Sequence, residues 1–473
     1  MGVNNRKVDN KTVLKSGVWY TISNFLTKGI LFLSTPIFTR MLGQEGFGAF
    51  NNFSSWLSIL VIVVTLTVEA TLMSARKDYA DSIDRYIFSA LGLSTLSCLV
   101  WTVLFNLFMP QVSAFMNLKP LYINVMMVYL LFYAALHLYQ AQEGFLFRYK
   151  VSATLSMVCS IGACLLSVAL MMLVPAEGKL DARIYGHMLP TILVGAVLFI
   201  LLARRGRRVD VKMWPYTLKV CLPFAPHLLS MTVLNSTDRI MITAMRGEVE
   251  NALYSVAYNV AMVVTLLLTS LNSAYSPWLA HRLMDDDFAS VRKVGKYYIC
   301  LFLGLGLGLL LVAPEVLLIM GGQDYVVAKP IMIPIAIGCM CQGLYTMFVN
   351  IEQFYKKTVG MAFASASAAV INYLLNLWLI PKFGYVAAAY TTLIGYAWLL
   401  AVHMLLVRLI KKHHIYSYKF VFAAVAFLVA LIGIMTLVYQ SDLVRYICLA
   451  AYILLLVGAA WKFRGQIRSF IKK

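Results

Sequence analysis

Apolar stretches of about 20 residues recur along the whole of this 473-residue chain, and they constrain its fold more than any other feature. An α-helix of that length crosses the hydrocarbon core of a bilayer and satisfies its own backbone hydrogen bonds there. Only 13% of the residues are charged, against roughly 25% in an ordinary soluble protein. We therefore expect an all-α polytopic membrane protein, and a soluble enzyme or a disordered chain is excluded.

The apolar stretches between charge clusters predict fourteen transmembrane helices. An even number of crossings places both termini on one side of the membrane. The connections are short, so function is expected within the membrane. Pro223 and Pro226 are expected to bend the seventh helix near its end. The expected helices span residues 17–39, 47–74, 86–109, 120–141, 151–174, 183–203, 218–245, 252–279, 295–319, 328–353, 359–380, 385–410, 419–439 and 443–461.

The cationic residues are distributed unevenly between the two sets of loops. Of the forty Lys and Arg residues, thirty fall on one set of loops, eight on the other, and two, Lys28 and Arg239, within spans. By the positive-inside rule the cation-rich side is cytoplasmic, and so are both termini. The net charge of +20 lies on this side once the acids are assigned as well. It therefore indicates contact with anionic membrane lipids rather than with nucleic acid.

Two motifs recur at an offset of 204 residues, which indicates an internal duplication. Residues 110–116 (PQVSAFM) resemble 314–320 (PEVLLIM), and residues 43–50 resemble 247–254. The duplication predicts two pseudo-symmetric six-helix lobes in the same orientation, with the substrate between them. The expected organisation is a cytoplasmic segment at 1–16, an N-lobe at 17–203, a basic linker at 204–217, a C-lobe at 218–410, and two further helices with a cytoplasmic C-terminus at 411–473.

Polar residues follow one face of several predicted helices, at equivalent positions of the two halves. A lone polar residue in a span usually makes a helix–helix hydrogen bond. Repetition of the pattern favours a hydrated central cavity instead. The candidate substrate-binding residues of that cavity are Lys28, Arg239, Asn24, Asn235, Asn272, Tyr258, His137, Gln342, Asn372 and Asn376.

Four ionisable residues lie within the expected spans: Lys28, Glu69, Asp238 and Arg239. A charge at the centre of a bilayer costs about 2.5–3.5 kcal/mol, so Lys28 is not expected to face lipid. Its charge suits an anionic substrate or ion coupling. Asp238 and Glu69 are the candidate ion-coupling residues, although Asp238 and Arg239 are equally compatible with a neutralised pair that only fixes helix packing.

The sequence contains no motif for catalysis or for a resident metal. It lacks a Walker A sequence, a nucleophile elbow and zinc-ligand spacing, and all eight cysteines lie within expected spans. We therefore expect no catalytic residues, no metal site and no cofactor other than a coupling Na⁺ or H⁺. The protein is expected not to be an enzyme.

Several segments resemble one known family. They are TRMLG at 39–43 with GFG at 46–48, DRIMI at 238–242, YSVAY at 254–258, NSAYSPW at 272–278 and NYLLNLWLIPKFG at 372–384. They resemble the Wzx-type lipid-linked oligosaccharide flippases, the polysaccharide-exporter branch of the multidrug/oligosaccharidyl-lipid/polysaccharide (MOP) superfamily. The resemblance extends over nearly the whole chain.

This resemblance implies a V-shaped fold of the kind found in MATE transporters, with a cationic cavity and alternating access. It implies transfer of an undecaprenyl-pyrophosphate-linked oligosaccharide from the inner to the outer leaflet of the bacterial inner (cytoplasmic) membrane, coupled to a Na⁺ or H⁺ gradient. The glycan is then an O-antigen, capsule or exopolysaccharide unit, and other polysaccharide-assembly membrane proteins are expected partners.

Three alternatives remain open. A drug or cation exporter of the same fold favours acidic over cationic cavity residues, and here the spans carry two of each. A lipid II flippase favours an Arg cluster, whereas the first helix offers only Lys28. A polytopic glycan polymerase or ligase favours a large extracytoplasmic loop, and all the expected outer loops are short.

Overall fold

The computed structural model describes residues 10–146, 148–410 and 415–462. Within these ranges the side chains of residues 10–28, 31, 149, 224, 227, 274, 358, 459, 460 and 462 are not described. The described residues form fifteen α-helices. They are α1 (Asn10–Thr65), α2 (Leu72–Asp78), α3 (Ile83–Leu107), α4 (Met109–Met116), α5 (Pro120–Phe145), α6 (Tyr149–Leu173), α7 (Lys179–Gly206), α8 (Trp214–Arg246), α9 (Glu248–Met284), α10 (Phe288–Gly321), α11 (Met332–Phe354), α12 (Thr358–Phe383), α13 (Tyr385–Ile410), α14 (Tyr418–Val438) and α15 (Asp442–Lys462).

Short 3₁₀ segments complete the connections, at Val68–Thr71, Ala80–Ser82, Ala176–Gly178, Val211–Met213 and Gln323–Ile331. Among the described residues, eleven helices are long and apolar enough to cross a membrane, or twelve if the bent α8 counts as one span. The expected number of fourteen is not confirmed. Two helices account for part of the difference. The broken helix α1 contributes a single candidate span, and α15, with 21 residues, is not among the candidate spans.

The break in α1 lies at Gly43. A straight helix of 56 residues would be about 84 Å long, far more than the roughly 30 Å of a hydrocarbon core. Gly43 interrupts it with φ 67° and ψ −176°, a conformation that side-chain-bearing residues avoid. Gly247, 204 residues later, separates α8 from α9 with φ 94° and ψ 178°. The same backbone break at the predicted offset supports the internal duplication.

The second expected span, 47–74, is wrong at its end, because the helix stops at Thr65. Leu66 and Thr67 have φ 58° and 45°, so the chain leaves the helix through two left-handed residues. Hydropathy does not register such a break, since the residues around it remain apolar. Glu69, expected inside this span, therefore lies beyond its end, in the 3₁₀ segment.

Two proline motifs that match in sequence differ in structure. Pro110 lies in the first turn of α4, where its missing N–H is not needed, and α3 has already ended at Leu107. Pro314 instead lies inside the continuous α10. The expected bend at Pro223 and Pro226 is confirmed, because the pieces Val211–Pro223 and Leu228–Arg246 meet at 54°.

The chain divides into two compact units with boundaries inside helices. Unit 1 comprises Met1–Ser255 and Ser365–Ala388, and unit 2 comprises Val256–Ala364 and Ala389–Lys473. Buried apolar side chains from α1, α3, α5 and α7 form the core of unit 1. In unit 2, α11 is buried along most of its length. The boundaries expected from the sequence for the lobes, linker and terminal segments stay predictions.

Candidate functional site

A buried polar cluster in unit 1 contains three of the predicted site residues. Asp238 on α8 is 1% exposed, and Asn372 and Asn376 on α12 are fully buried. Asn376 Nδ2 donates to Asp238 Oδ1 at 2.6 Å and to Asn372 Oδ1 at 3.2 Å. Tyr254 on α9 donates its hydroxyl to Asp238 Oδ2 at 2.6 Å. The buried carboxylate thus accepts hydrogen bonds from an amide and from a hydroxyl.

The spacing of these residues explains how the cluster forms. Asn372 and Asn376 are four residues apart, so they lie one above the other on the same face of α12. The Asn376 amide and the Tyr254 hydroxyl direct an N–H and an O–H at the Asp238 carboxylate. A single buried carboxylate is the kind of group that takes up a proton or a monovalent cation. In the described ranges, no three His, Cys, Asp or Glu side chains are arranged to hold a metal ion.

Arg239 and Asn235 lie beside this cluster on α8, and both are half-buried. Asn235 is one helical turn before Arg239, so the two share a face of the helix. Asp238 points elsewhere, into the cluster with Tyr254 and Asn376. The arrangement offers a guanidinium and an amide that are partly accessible next to a carboxylate that is not.

A second polar cluster lies in unit 2 and contains two further predicted residues. Asn272 on α9 and Gln342 on α11 line a cavity of about 100 Å³ together with Thr265, Thr269 and Thr346. Asn350 Nδ2 donates to Asn272 Oδ1 at 2.7 Å. Amides and hydroxyls here suit the hydroxyl groups of a sugar or ordered water. The cavity is below the roughly 300 Å³ typical of a ligand pocket, so it does not enclose a saccharide by itself.

Tyr258 and His137, also predicted, make contacts of their own. The Tyr258 hydroxyl is 3.4 Å from that of Tyr396 in unit 2. In unit 1 the His137 ring stacks on Tyr133, with ring centroids 4.0 Å apart. Near His137, Gln140 donates to Ser156 at 3.0 Å, which is an ordinary helix–helix contact.

Glu69 is partly exposed, but its carboxylate is largely shielded. Burial raises the pKa of Glu69, and only a bond to its own backbone opposes this effect. Its Oε2 atom is buried and has no partner in the described part of the chain. Glu69 is close enough to Cys221 to interact with it electrostatically. The side chains of the two remaining predicted residues, Lys28 and Asn24, lie outside the described residues.

Sequence reasoning missed a buried cation in unit 1. Arg183 on α7, which the charge count assigns to an outer loop, is 3% exposed. Its guanidinium lies 3.7 Å from the ring centroid of Phe38 and 4.1 Å from that of Phe50. It donates to Ser167 Oγ at 2.7 Å, and it forms no ion pair with the described acids. The aromatic rings of Phe38 and Phe50 stabilise this cation in place of a carboxylate. No sequence spacing indicates such a contact.

A buried pair in unit 2 was also missed. Glu352 on α11 is fully buried, and its Oε1 lies 2.8 Å from Nδ1 of His403 on α13. His403 is 3% exposed and stacks on Tyr345. Glu352 falls near the end of its helix, so the charge count assigns it to the cytoplasmic loops. Only the packing of α13 on α11 reveals that it is internal.

The class of protein follows from comparison with known families. The family model described as "Polysaccharide biosynthesis protein" matches residues 13–283, more than half of the chain, and the protein belongs to this family. The MatE model matches residues 223–378. A protein of the Lsg locus of Haemophilus influenzae is 23% identical, with 76% of this chain and 89% of that protein covered. An uncharacterized membrane protein of the same organism is 22% identical, with coverage of 76% and 88%.

Solved structures confirm the expected fold. The lipid II flippase MurJ in an inward closed conformation matches with a TM-score of 0.73 at 14% identity, over 95% of this chain and all of that one. An inward-facing multidrug resistance MATE family transporter of the MOP superfamily matches with a TM-score of 0.59 at 15% identity, over 81% and 94%. The chain is thus a multi-pass membrane protein with the fold of these MurJ and MATE structures. Its family and fold are those of transporters and flippases rather than catalytic enzymes.

Proposed function

We propose that the protein flips an undecaprenyl-pyrophosphate-linked oligosaccharide from the inner to the outer leaflet of the bacterial inner membrane by alternating access. The observation that carries this proposal is membership of the polysaccharide biosynthesis protein family over residues 13–283. The glycan belongs to the O-antigen, capsule or exopolysaccharide class, as in Wzx-type flippases. Both termini lie in the cytoplasm, where the cation-rich loops face anionic lipids. Other polysaccharide-assembly membrane proteins are the proposed partners.

The chemistry of the substrate sets the requirements of the site. A pyrophosphate–sugar headgroup cannot cross hydrocarbon without charge compensation and hydrogen-bond partners. In this proposal Lys28 and Arg239 bind the diphosphate. The sugars bind to amide, hydroxyl and ring groups, which come from Asn24, Asn235, Asn272, Tyr258, His137 and Gln342. The undecaprenyl tail stays in the lipid throughout.

Ion coupling is assigned to Asp238, with Glu69 as a second candidate. The cluster supports this role because it holds a buried carboxylate, Asp238, that accepts hydrogen bonds from the Tyr254 hydroxyl and the Asn376 amide. Binding of Na⁺ or H⁺ there changes the net charge of a buried site. Such a change biases a two-state transporter only if the two states bind the ion with different affinities.

A drug or cation exporter is the second candidate function. The observation that favours it is the MatE match at residues 223–378, which includes Asp238, Asn372 and Asn376. A buried carboxylate also attracts a cationic drug. Resistance of expressing cells to cationic dyes tests this alternative directly, because a flippase for anionic lipid-linked sugars confers none. A lipid II flippase remains a further candidate, tested by complementation of cells depleted of their own lipid II flippase.

The decisive experiment is a deletion strain with its lipid-linked glycans analysed by mass spectrometry. We expect lipid-linked oligosaccharide to accumulate on the cytoplasmic leaflet and surface glycan to be lost. Lys28→Ala and Arg239→Ala should reproduce the deletion, whereas Lys382→Ala should not. Lys382 is an exposed cation stacked on Trp378 at 4.7 Å, so it controls for loss of positive charge. Unchanged surface glycan in the deletion strain would rule out the flippase.

A further inference from the structure

A pocket of about 460 Å³ lies in unit 2 where α11 ends, α12 begins and α13 makes its last turns. Its volume is within the roughly 300–1,000 Å³ range of small-molecule sites. Lys356 and Lys357 line it together with the apolar side chains of Val359, Leu406 and Leu409. It is separate from both polar clusters described above. The pocket therefore combines two cations with an apolar wall, formed by Val359, Leu406 and Leu409.

The backbone fixes the position of the two lysines. Lys356 has φ 57°, a left-handed conformation that ends α11. Its N–H donates to the Gln353 carbonyl at 3.0 Å, and the Lys357 N–H donates to the Glu352 carbonyl at 2.9 Å. Both side chains are exposed, and neither forms an ion pair with any acid in the described ranges. Two adjacent cations thus line the pocket without a counter-charge from the described residues.

The apolar wall is strongly exposed. Val359 is 84% exposed and Leu409 is 74% exposed, and Phe363, one turn after Val359 on α12, is 65% exposed. In water such a patch is unfavourable, at roughly 25 cal/mol per Å². Both helices are candidate membrane spans, so hydrocarbon chains are the natural cover for this wall. A soluble anion would satisfy the lysines but leave the wall uncovered.

We propose that this pocket is a binding site for an anionic phospholipid. The phosphate lies between the ammonium groups of Lys356 and Lys357, and one acyl chain runs along Val359 and Leu409. Basic pockets between membrane helices on the cation-rich side recognise acidic headgroups in this way. The site does not depend on the proposed flippase function, since it uses none of the residues assigned to the substrate or the coupling ion.

Native mass spectrometry of the purified, delipidated protein tests the site. Phosphatidylglycerol is added in one arm and phosphatidylcholine in the other. We expect wild type to retain a phosphatidylglycerol molecule in preference to phosphatidylcholine. The double variant Lys356→Gln with Lys357→Gln should weaken that binding about thirtyfold, given the usual contribution of each lysine near a charged lipid. Lys356→Arg with Lys357→Arg should keep it.

Matched variants separate this site from a general charge effect. Arg76→Gln with Lys77→Gln removes two adjacent cations from α2 in unit 1 and should leave the binding unchanged. Val359→Asp keeps both lysines, changes an exposed side chain and should also weaken lipid retention. Inorganic phosphate should not displace the lipid. Equal losses in the two glutamine doubles, retention of both lipids alike, or displacement by phosphate would each overturn the proposal.

Discussion

The hydrogen bonds that the buried Asp238 carboxylate accepts stabilise it, because a buried charge without donors is strongly unfavourable. We expect Tyr254→Phe to lower the free energy of unfolding by about 1.5–3 kcal/mol, the range for hydrogen bonds to charged groups. The reason is that Asp238 Oδ2 loses a donor at 2.6 Å. Thermal unfolding in detergent measures the change. Tyr373→Phe, at a tyrosine 45% exposed, is the control and should leave stability almost unaltered; equal shifts in both variants would contradict this account.

Glu69 gives a prediction with a pH dependence. Because burial raises its pKa, the folded state favours the protonated form, and ionisation of Glu69 destabilises the fold. We expect Glu69→Gln to raise the melting temperature at pH 7 to 8. The gain should disappear below pH ~4.3, where an ordinary Glu is also protonated in the unfolded chain.

Glu177→Gln is the matched control for this pH series, since Glu177 is exposed. Glu177→Gln should change the melting temperature little, both at pH 7 to 8 and below pH ~4.3. If Glu69 also couples an ion, Glu69→Gln should lose transport while it gains stability. A lower melting temperature of Glu69→Gln at neutral pH would show that its carboxylate is stabilising and that the sign of the prediction is wrong.

The sequence indicates which polar residues lie on membrane helices, but it does not indicate which residues they contact. Asp238, Asn372 and Asn376 were each identified as polar residues on spans, yet only the packing of α12 against α8 brings them to one point. They were assigned to different roles, ion coupling and substrate binding, whereas the structure joins them in one buried cluster. For Arg183 the predicted location was wrong. A charge count assigns it to a loop, because the sequence does not indicate that its guanidinium packs against Phe38 and Phe50.

Between elements, the contact of α1 with α9 depends on the absence of a side chain at Gly48. A Cβ there would overlap the carbonyl oxygen of Glu248, a backbone atom that cannot rotate away. Asn251 Nδ2 also donates to the Gly48 carbonyl at 2.9 Å, which ties the two helices together. We expect Gly48→Ala to destabilise the protein by about 1–3 kcal/mol, measured by thermal unfolding.

Gly433→Ala is the control for this contact. Gly433 lies inside α14, and a Cβ there meets no described atom within 4 Å. Alanine should then be neutral or stabilising by about 0.5–1 kcal/mol, because glycine is a poor helix former. Similar destabilisation by both substitutions would mean that the close approach at Gly48 is unimportant.

A second prediction at this scale concerns the attachment of α15 to α10. Arg445 is 2% exposed and makes two bonds of 2.6 Å to Glu315, one to each carboxylate oxygen. Glu315→Ala leaves this guanidinium buried without its main partner. Because the Glu315 side chain is itself 36% exposed, we expect a loss of about 1–3 kcal/mol rather than the full 3–5 kcal/mol of an enclosed pair.

Lys329→Ala is the comparison for that ion pair. Lys329 lies 3.8 Å from Asp442, whose side chain is 67% exposed, so the change should be below about 1 kcal/mol. Protease accessibility at Tyr446 reports separately on whether α15 detaches. If Glu315→Ala and Lys329→Ala have equal effects, burial of Arg445 does not matter to the attachment.

Helix positions were predictable because hydropathy and the charge clusters mark where spans begin and end. The expected span 385–410 and the observed α13 coincide, and 120–141 differs from α5 by a few residues. The end of the second span was not predictable, because two left-handed residues among apolar neighbours leave no mark in hydropathy. Pro110 and Pro314 carry the same motif and differ because one begins a helix and the other continues one.

At the scale of the whole molecule, duplication and sidedness are the two properties that the sequence predicts. The duplication has a structural counterpart in the matched breaks at Gly43 and Gly247. Sidedness rests on charge alone, since the excess of thirty cations over eight defines which loops face the cytoplasm. The direction of transport follows from it, so sidedness is the property of the whole chain most in need of measurement.

The sidedness of the loops can be measured by cysteine accessibility in intact cells. In a variant without the eight native cysteines, we expect a membrane-impermeant maleimide to label Lys119→Cys and Lys382→Cys, because these exposed residues lie on the cation-poor side. Lys77→Cys and Arg208→Cys should be labelled only after the cells are opened, because the cation-rich loops are retained in the cytoplasm. The reverse pattern would invert the orientation and the proposed direction of transfer. Labelling of Lys119→Cys without Lys382→Cys would mean an odd number of crossings between them, which two lobes in the same orientation do not allow.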